Sequence, residues 1–460
     1  MQTDTSQSAA DWGREEFGRA KLGNSLRTAR LVKIATGAAE RPAGKVTEVF
    51  ESSADLEAAY RHLGSKRGGV DATAAAAHDA CAARCAASGA PFAYVPVDGT
   101  SLNITDRTHN KGLGPIGARS KKARGVQVMN AIAVAADGIP AGVCGQVYWA
   151  REEKKPRPAR QRPFEEKESR HWLGAMMQAQ DAFARSGGDC IPWYQCDRGG
   201  DFQELLCWTV DNTALVTVRV NHDRLVDDAD AHRLRELIEQ QPSAGRYILH
   251  VPGGSKRKER DAEMEVRFCE APVVVGVDAD RRELNFHLVQ TREVGTTPSG
   301  EDPINWLLLT TFPVQSYDDA VEVIRGYSQR WRVEEHHKTW KSCCRVEETQ
   351  LRDFESIVLW ATILASVAIR IERLKYMARV QPDRPADTEL SRDELDAVIL
   401  LSRTPDYEVG DTPSVGIVMR WIADLGGYTG KSSGGPPGSI VLARGLRRVE
   451  VAMQLIDILR

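Results

Sequence analysis

A chain of 460 residues, 42% of them apolar, holds enough material for one large core and one or two smaller domains. Its net charge of −3 does not mark the whole chain as a polyanion binder. No run of about 18 apolar residues predicts a membrane span, and MQTDTSQSAADW lacks the charged-then-apolar pattern of an export signal, so a cytoplasmic protein with no membrane partner is expected.

Nine cysteines without a CxxC pair predict reduced thiols rather than a zinc site. The charge is unevenly spread. Lys111 to Arg170 carries 13 Lys/Arg against 6 Asp/Glu, and Asp383 to Asp411 carries 9 acids against 3 Arg. Such asymmetry suits a phosphate-facing surface on one part and a protein-facing surface on another.

In chain order, Asp11 to Lys66 reads as a small helical unit. It holds a basic amphipathic helix over Arg27 to Ala35 and a second helix over Asp55 to Leu63. Lys66 to Gly69 reads as a link and Asp71 to Ser88 as an Ala-rich helix. Pro91 to Leu102 predicts a strand that delivers Asp98 to its end, and Val126 to Trp149 two strands joined at Asp137-Gly138. A charged, Pro-broken loop over Arg151 to Arg170 leads to a helix over Trp172 to Arg185. Ile191 to Phe202 is a strand ending at Asp197, followed by a helix start. Leu215 to about Leu309 is β-rich, with Lys256, Arg257, Lys258 and Arg260 on a turn. A buried strand over Ile304 to Val314 precedes one long helix over Ser316 to Ser342. The remainder is mostly helical: Val358 to Ile371 reads as a buried helix too short to span a bilayer, and Ser432 to Gly438 as a break.

The chemistry concentrates on the long helix. At about 100° per residue, Tyr327, Arg330, Glu334, Lys338 and Lys341 fall within roughly 80° of arc. One face therefore offers a phenol, a carboxylate and three cations. A solvent face laced with i,i+4 ion pairs explains the charges but not the tyrosine. A divalent-metal site beside a phosphate grip explains all five. Asp98 and Asp197, each after a strand, supply the further oxygen ligands that two-metal phosphoryl transfer needs.

With YSQRWRVEEHHKTWK (Tyr327 to Lys341), QCDRGGDF and VPVDGTSL in view, the chain resembles bacterial DDE transposases of the insertion-sequence-four group. DWGREEFGRAKLGNSLRTARLVKIA and AAYRHL are similar to that group's N-terminal DNA-recognition domain, and PINWLLLT to the strand before its Glu helix. The resemblance implies an α/β, ribonuclease-H-like catalytic core at 71–375 with a β-sheet insertion at about 215–305. A helical DNA-binding domain at 1–70 and a helical dimerisation domain at 376–460 would flank it. It further implies two Mg²⁺ ions per site, with Mn²⁺ as a substitute. Its partners would be double-stranded DNA (terminal repeats and target) and a second copy of the chain in a synaptic complex. Asp98, Asp197 and Glu334 are then the metal ligands, and Tyr327, Arg330, Lys338 and Lys341 contact phosphates near the transposon end. Trp306 stacks on or wedges beside a flipped base, or else packs in the core. Arg198 orients the second Asp or holds a phosphate, Arg219 contacts DNA, and Arg27, Arg30, Lys33 and Arg61 contact the terminal repeat. The stretch GGYTGKSSGGPPGSIVLARGLRRV departs from the group where tryptophans are expected. The alternatives are a nuclease that cuts without joining, an inactive DNA-binding relative and, more weakly, a glycosidase using paired carboxylates. On the transposase reading, removal of the residues before about Val70 is expected to leave the catalytic part folded.

Overall fold

The structure is a computed structural model, and it describes residues 9–65, 69–117, 123–153, 157, 161–253, 258–276, 278–430 and 436–459, with backbone alone at 9–10, 279 and 454–459. Several cations of the sequence-level argument (Lys66, Arg67, Arg119, Lys121, Lys122, Lys154, Lys155, Arg160, Lys256 and Arg257) lie outside the described residues.

The first helices are α1 (Ala9–Phe17), α2 (Ser25–Glu40), α3 (Val46–Val49), α4 (Ser53–Leu63) and α5 (Val70–Ala87). Asn24 caps α2 by accepting from the Arg27 amide at 2.9 Å, and Ser52 caps α4, so both begin earlier than apolar periodicity alone suggested. Leu31, Ile34, Ala35 and Ala38 form the buried face of α2.

The central sheet follows: β1 (Phe92–Asn103), β2 (Gly114–Pro115), β3 (Arg124–Val134), β4 (Pro140–Trp149), then α6 (Arg170–Ser186), β5 (Ile191–Cys196), α7 (Gln203–Asp211) and β6 (Leu215–Arg219). After α8 (Leu234–Glu239) come β7 (Gly245–Val251), β8 (Arg260–Val275), β9 (Arg282–Val294) and β10 (Asn305–Thr310). The ten strands form one sheet, ordered β2-β3-β1-β5-β6-β10-β9-β8-β7, with β4 also on β3. β5 runs parallel to both β1 and β6, and the other pairs are antiparallel. The β3–β4 turn uses Gly138 at φ +87°, a conformation open to glycine. The β-rich segment is thus not a separate sheet. β6 is an inner strand and β10 joins it to the β7–β9 ribbon.

Strand alternation divides the core. Tyr94, Leu102 and Trp193 face one apolar cluster, which also takes in α2 and the later helices α9 (Tyr317–Ser328), α10 (Trp331–Ser342) and α11 (Phe354–Val380). Val95, Val97, Tyr194 and Cys196 face the other, with α6 and α7. A third cluster joins the end of α11 to α12 (Arg392–Ser402), α13 (Val415–Leu425) and α14 (Ser439–Leu459).

Three sequence-level expectations change. The single helix over Ser316 to Ser342 is two helices, α9 and α10. Around the break the amides of Gln329, Arg330, Arg332 and Val333 bond to carbonyls three residues back rather than four, which tightens the chain locally. β1 does not end at Asp98 but continues to Asn103 along β3; only its parallel pairing with β5 stops there. The apolar helix after Arg352 runs 27 residues, long enough by length and composition to cross a membrane, yet 89% of its most apolar window is buried among the other helices. All nine cysteines are free thiols.

The N-terminal helices share the main core rather than forming a lobe of their own. Trp360 of α11 donates to the Gly44 carbonyl at 2.8 Å, and Arg84 of α5 pairs with Glu16, which is 2% exposed, at 2.8 Å. The expectation that this unit can be removed while leaving the rest folded conflicts with that packing.

His78 on α5 makes a pH prediction. Burial, reinforced by Arg185, pushes its imidazole down from 6.5 to about 3. Between those values the unfolded chain binds a proton that the folded one refuses. Stability is therefore full above about pH 6.5 and falls as the pH drops toward 3, by up to about 1.4 kcal/mol per pH unit. Unfolding free energies from denaturant titrations at pH 6.5 and 5 should differ by about 2 kcal/mol from this group, and His78→Leu should reduce the measured pH dependence by that amount.

Candidate active site

Two strands bring the first two carboxylates together. The parallel register ends at Val97↔Cys196, so Asp98 and Asp197 are the next residues on neighbouring strands. Val97 and Cys196 point into one core, so alternation turns both aspartates to the opposite face, where α9 and α10 lie. The Asp197 carboxylate accepts from the Gly199 amide at 2.7 Å and caps the short turn Arg198–Gly200.

Glu334 comes from the first turn of α10. Arg330 ties it to the strands: its guanidinium donates to Glu334 Oε1 at 2.6 Å and lies 3.4 Å from Asp98 Oδ2. Burial, followed by the Asp197 charge, pushes the Asp98 carboxyl up from 3.8 to about 6, against the Gly99 amide and Arg330, which favour its charged form. Burial opposes the Arg330 charge, but Glu334, Tyr327 and Asp98 together raise its pKa above the ordinary value. The site therefore gathers carboxylates beyond what one guanidinium neutralises.

The other sequence-predicted residues divide. Tyr327, on α9, is 4% exposed and lies edge-on to half-buried Trp306 of β10 at 5.0 Å. Burial raises its phenol pKa, while Arg330 and Arg219 lower it and Arg219 also hydrogen-bonds it. Arg219, at the end of β6, also donates to the Asn305 carbonyl at 3.2 Å. Lys341 is half-buried and donates to Thr100 Oγ1 of β1 at 2.7 Å, and burial lowers its pKa. Lys338 and Arg198 are exposed. In the N-terminal unit, Arg30 and Lys33 converge on Asp55 at 3.7 and 2.6 Å and Arg61 pairs with Glu57. Arg27 donates to the Leu22 carbonyl and to Ser65 Oγ. These four are not an unengaged basic stripe. Partly exposed pairs of this kind are worth about 0–1 kcal/mol, so phosphates can displace them.

The sequence reading missed what holds the back of α10. Arg332 donates to Tyr376 Oη at 2.6 Å and contacts Glu335 at 3.2 Å; Glu335 in turn accepts from Tyr376 and from Lys375 at 3.4 Å. Lys375 and Glu372, 5% and 2% exposed, pair with each other, and Thr339 and Ser439 both donate to Glu372. This buried network clamps α10 to α11 and to the start of α14. Each charge in it depends on its partner, because burying one alone is costly. The only sequence signal was a run of charges, Arg370, Glu372, Arg373, Lys375 and Arg379, in the second half of an otherwise apolar helix. His336 and His337 are held neutral by burial; His336 stacks on Trp340, and His337 meets Asn130 at 2.9 Å.

Comparison with known families agrees with this architecture. Residues 9–67 match the transposase DNA-binding family and residues 145–369 match the transposase DDE domain. The chain thus carries a DNA-binding domain followed by a DDE transposase domain, a pairing that supports a DDE transposase, an enzyme class that cleaves DNA and transfers strands. The DDE match contains Asp197 and Glu334 and begins after Asp98, which lies on a strand paired to the matched region.

Such domains are generally dependent on divalent metal. Three carboxylates and no nitrogen or sulfur donor make a ligand set suited to Mg²⁺ or Mn²⁺. Among the described residues no three such donors stand close enough together to hold a metal ion, and Arg330 contacts both Asp98 and Glu334. The donor chemistry fits the ion.

Proposed function

We propose that the chain is a cut-and-paste DNA transposase of the insertion-sequence-four group, similar to the Tn-five transposase, built on a ribonuclease-H-like core. The strand order β4-β3-β1-β5-β6, antiparallel then parallel, supports that core. The protein binds the terminal repeats, nicks the DNA, frees the ends through a hairpin and joins the 3′-ends to target DNA. A homodimer pairs the two ends. The observation that carries the reading is Arg330 in contact with Asp98 and Glu334 at once, beside the strand junction of Asp98 and Asp197.

Asp98, Asp197 and Glu334 are the residues that would hold two Mg²⁺ ions, or Mn²⁺. The chemistry such ions would supply there is activation of the attacking water or 3′-hydroxyl and neutralisation of charge on the leaving oxygen. Arg330, Lys338 and Lys341 grip phosphates next to the carboxylates. Tyr327 and Arg219 orient one another beneath Trp306, whose ring is available to a flipped base. Arg27, Arg30, Lys33 and Arg61 exchange their carboxylate and backbone partners for phosphates of the terminal repeat, and Arg198 lies beside the second aspartate to meet the same backbone.

The test is a cleavage assay with purified protein, Mg²⁺ and labelled DNA carrying the repeats that flank its own gene. Hairpinned ends and joined products are expected. Cuts without hairpins or joining would assign a nuclease, and binding without cutting an inactive relative.

A further inference from the structure

The face of α10 turned away from the sheet borders a cavity that the residues above leave unexplained. It measures about 440 Å³, within the size range of small-ligand sites. Trp331, Glu334, Lys338, Lys375, Arg379 and Ser439 line it, from α10, α11 and the start of α14.

Helical geometry places Glu334 at a boundary. Taking about 100° per residue, Arg330, His337 and Lys341 lie on one side of it, and Trp331, Lys338 and Thr339 on the other. The contacts agree. Arg330 reaches Asp98, His337 reaches Asn130 and Lys341 reaches Thr100, all on β1 or β3, whereas Trp331, Lys338 and Thr339 line the cavity. Glu334 belongs to both sides.

We propose that this groove holds the target DNA strand during joining, with Arg379 and Lys338 on its phosphates. The inference rests on the transposase reading. Joining brings two DNA strands to one set of carboxylates: the end bearing the 3′-hydroxyl and the phosphodiester it attacks. On that reading Tyr327, Arg330 and Lys341 hold the end, while Lys338, grouped with them in the sequence, faces the groove and passes to the second strand, on the other approach to Glu334. The lining suits it. Lys375 is committed to Glu372 and Glu335, and Glu335 to Lys375, Arg332 and Tyr376, so these charges cancel within the wall. Lys338 and Arg379 are exposed, and among the described residues Arg379 donates to the Pro437 carbonyl at 3.0 Å and lies 5.3 Å from the centre of the Tyr376 ring. Trp331, 56% exposed, adds an aromatic face at the same mouth. Two solvent-facing cations and an indole beside a shared carboxylate match a phosphodiester strand.

Arg379 tests this without touching the carboxylates. Two reactions are measured with Arg379→Glu, Arg379→Ala, Arg379→Lys and the unmodified protein: end cleavage, and joining of pre-cleaved ends to a plasmid target. Arg379→Glu should slow joining at least about 10-fold while end cleavage stays within about 2-fold. Arg379→Ala should lower the salt dependence of target binding by about one unit of slope. Arg379→Lys should keep joining, and unchanged melting temperatures exclude misfolding. Equal joining by all variants overturns the proposal. Equal loss of cleavage and joining also overturns it and assigns the groove to the end DNA. If the unmodified protein joins nothing, the transposase reading itself falls and this proposal falls with it.

Discussion

Alanine at Asp98, Asp197 or Glu334 should lower end cleavage by about 10³-fold or more, a loss of about 4 kcal/mol of transition-state stabilisation, while DNA binding survives. Separating the two effects matters, because each carboxylate has a structural partner as well as a chemical role. Glu334 accepts from Arg330 at 2.6 Å, and its removal leaves that guanidinium with Asp98 alone, at 3.4 Å. A freed cation on a phosphate-binding surface favours polyanions, so Glu334→Ala should bind its terminal repeats at least as tightly as the unmodified protein. Asp98→Ala should behave alike for a further reason: it removes a carboxyl that burial and Asp197 already disfavour as an anion. Neither change should unfold the chain, since Asp98 and Glu334 side chains keep 21% and 34% of their exposure.

The measurements are single-turnover cleavage in Mg²⁺ and Mn²⁺, gel-shift affinity and melting temperature for all three variants. Cleavage by any of them at the unmodified rate would falsify its assignment as a ligand. Loss of binding in step with cleavage would instead make the acids structural. Arg330→Ala is the companion experiment. It should weaken binding and slow cleavage together, because the same guanidinium both spans two of the acids and faces the phosphates on this reading.

Much of this arrangement was legible because it rests on local chemistry. Asp98 and Asp197 each follow a short apolar run, and a parallel pair that ends at both runs must set them side by side. Glu334 shares a helical stripe with cations. What was not legible depended on distance in the chain. The break between α9 and α10 has no proline or glycine at Gln329-Arg330; it is a shift from four-residue to three-residue hydrogen bonds. The bond between Arg219 and Tyr327, and that between Lys341 and Thr100, join segments more than a hundred residues apart. Asp55 looked like a helix-start acid and turned out to hold Arg30 and Lys33. The second acid of QCDRGGDF, Asp201, is not a ligand candidate at all. It is 4% exposed, pairs with Arg224 at 2.6 Å and accepts from the Asn221 and His222 amides.

Deletion of residues 1–69 should leave a chain that does not fold into a stable soluble core, whatever its loss of DNA recognition. Phe17, Leu31, Ile34 and Ala35 are all at most 1% exposed and belong to the same cluster as Trp360, Ile363 and Leu364 of α11. Each large apolar side chain uncovered costs about 1.5–3 kcal/mol, and several together rival the roughly 5–15 kcal/mol that stabilises a typical domain. The cut also leaves the Trp360 indole without Gly44 and Arg84 without the buried Glu16. Recognition is therefore better separated from folding at the surface. Lys33→Ala with Arg30→Ala removes two partly exposed cations, 58% and 40%, and should leave the melting temperature within a few degrees while end binding drops. The check is expression and circular dichroism of the deletion beside gel shifts of the double variant. A folded, soluble deletion with a native-like melting transition would show that α11 does not need the N-terminal helices. A double variant that binds its ends at full strength would remove α2 from the DNA interface.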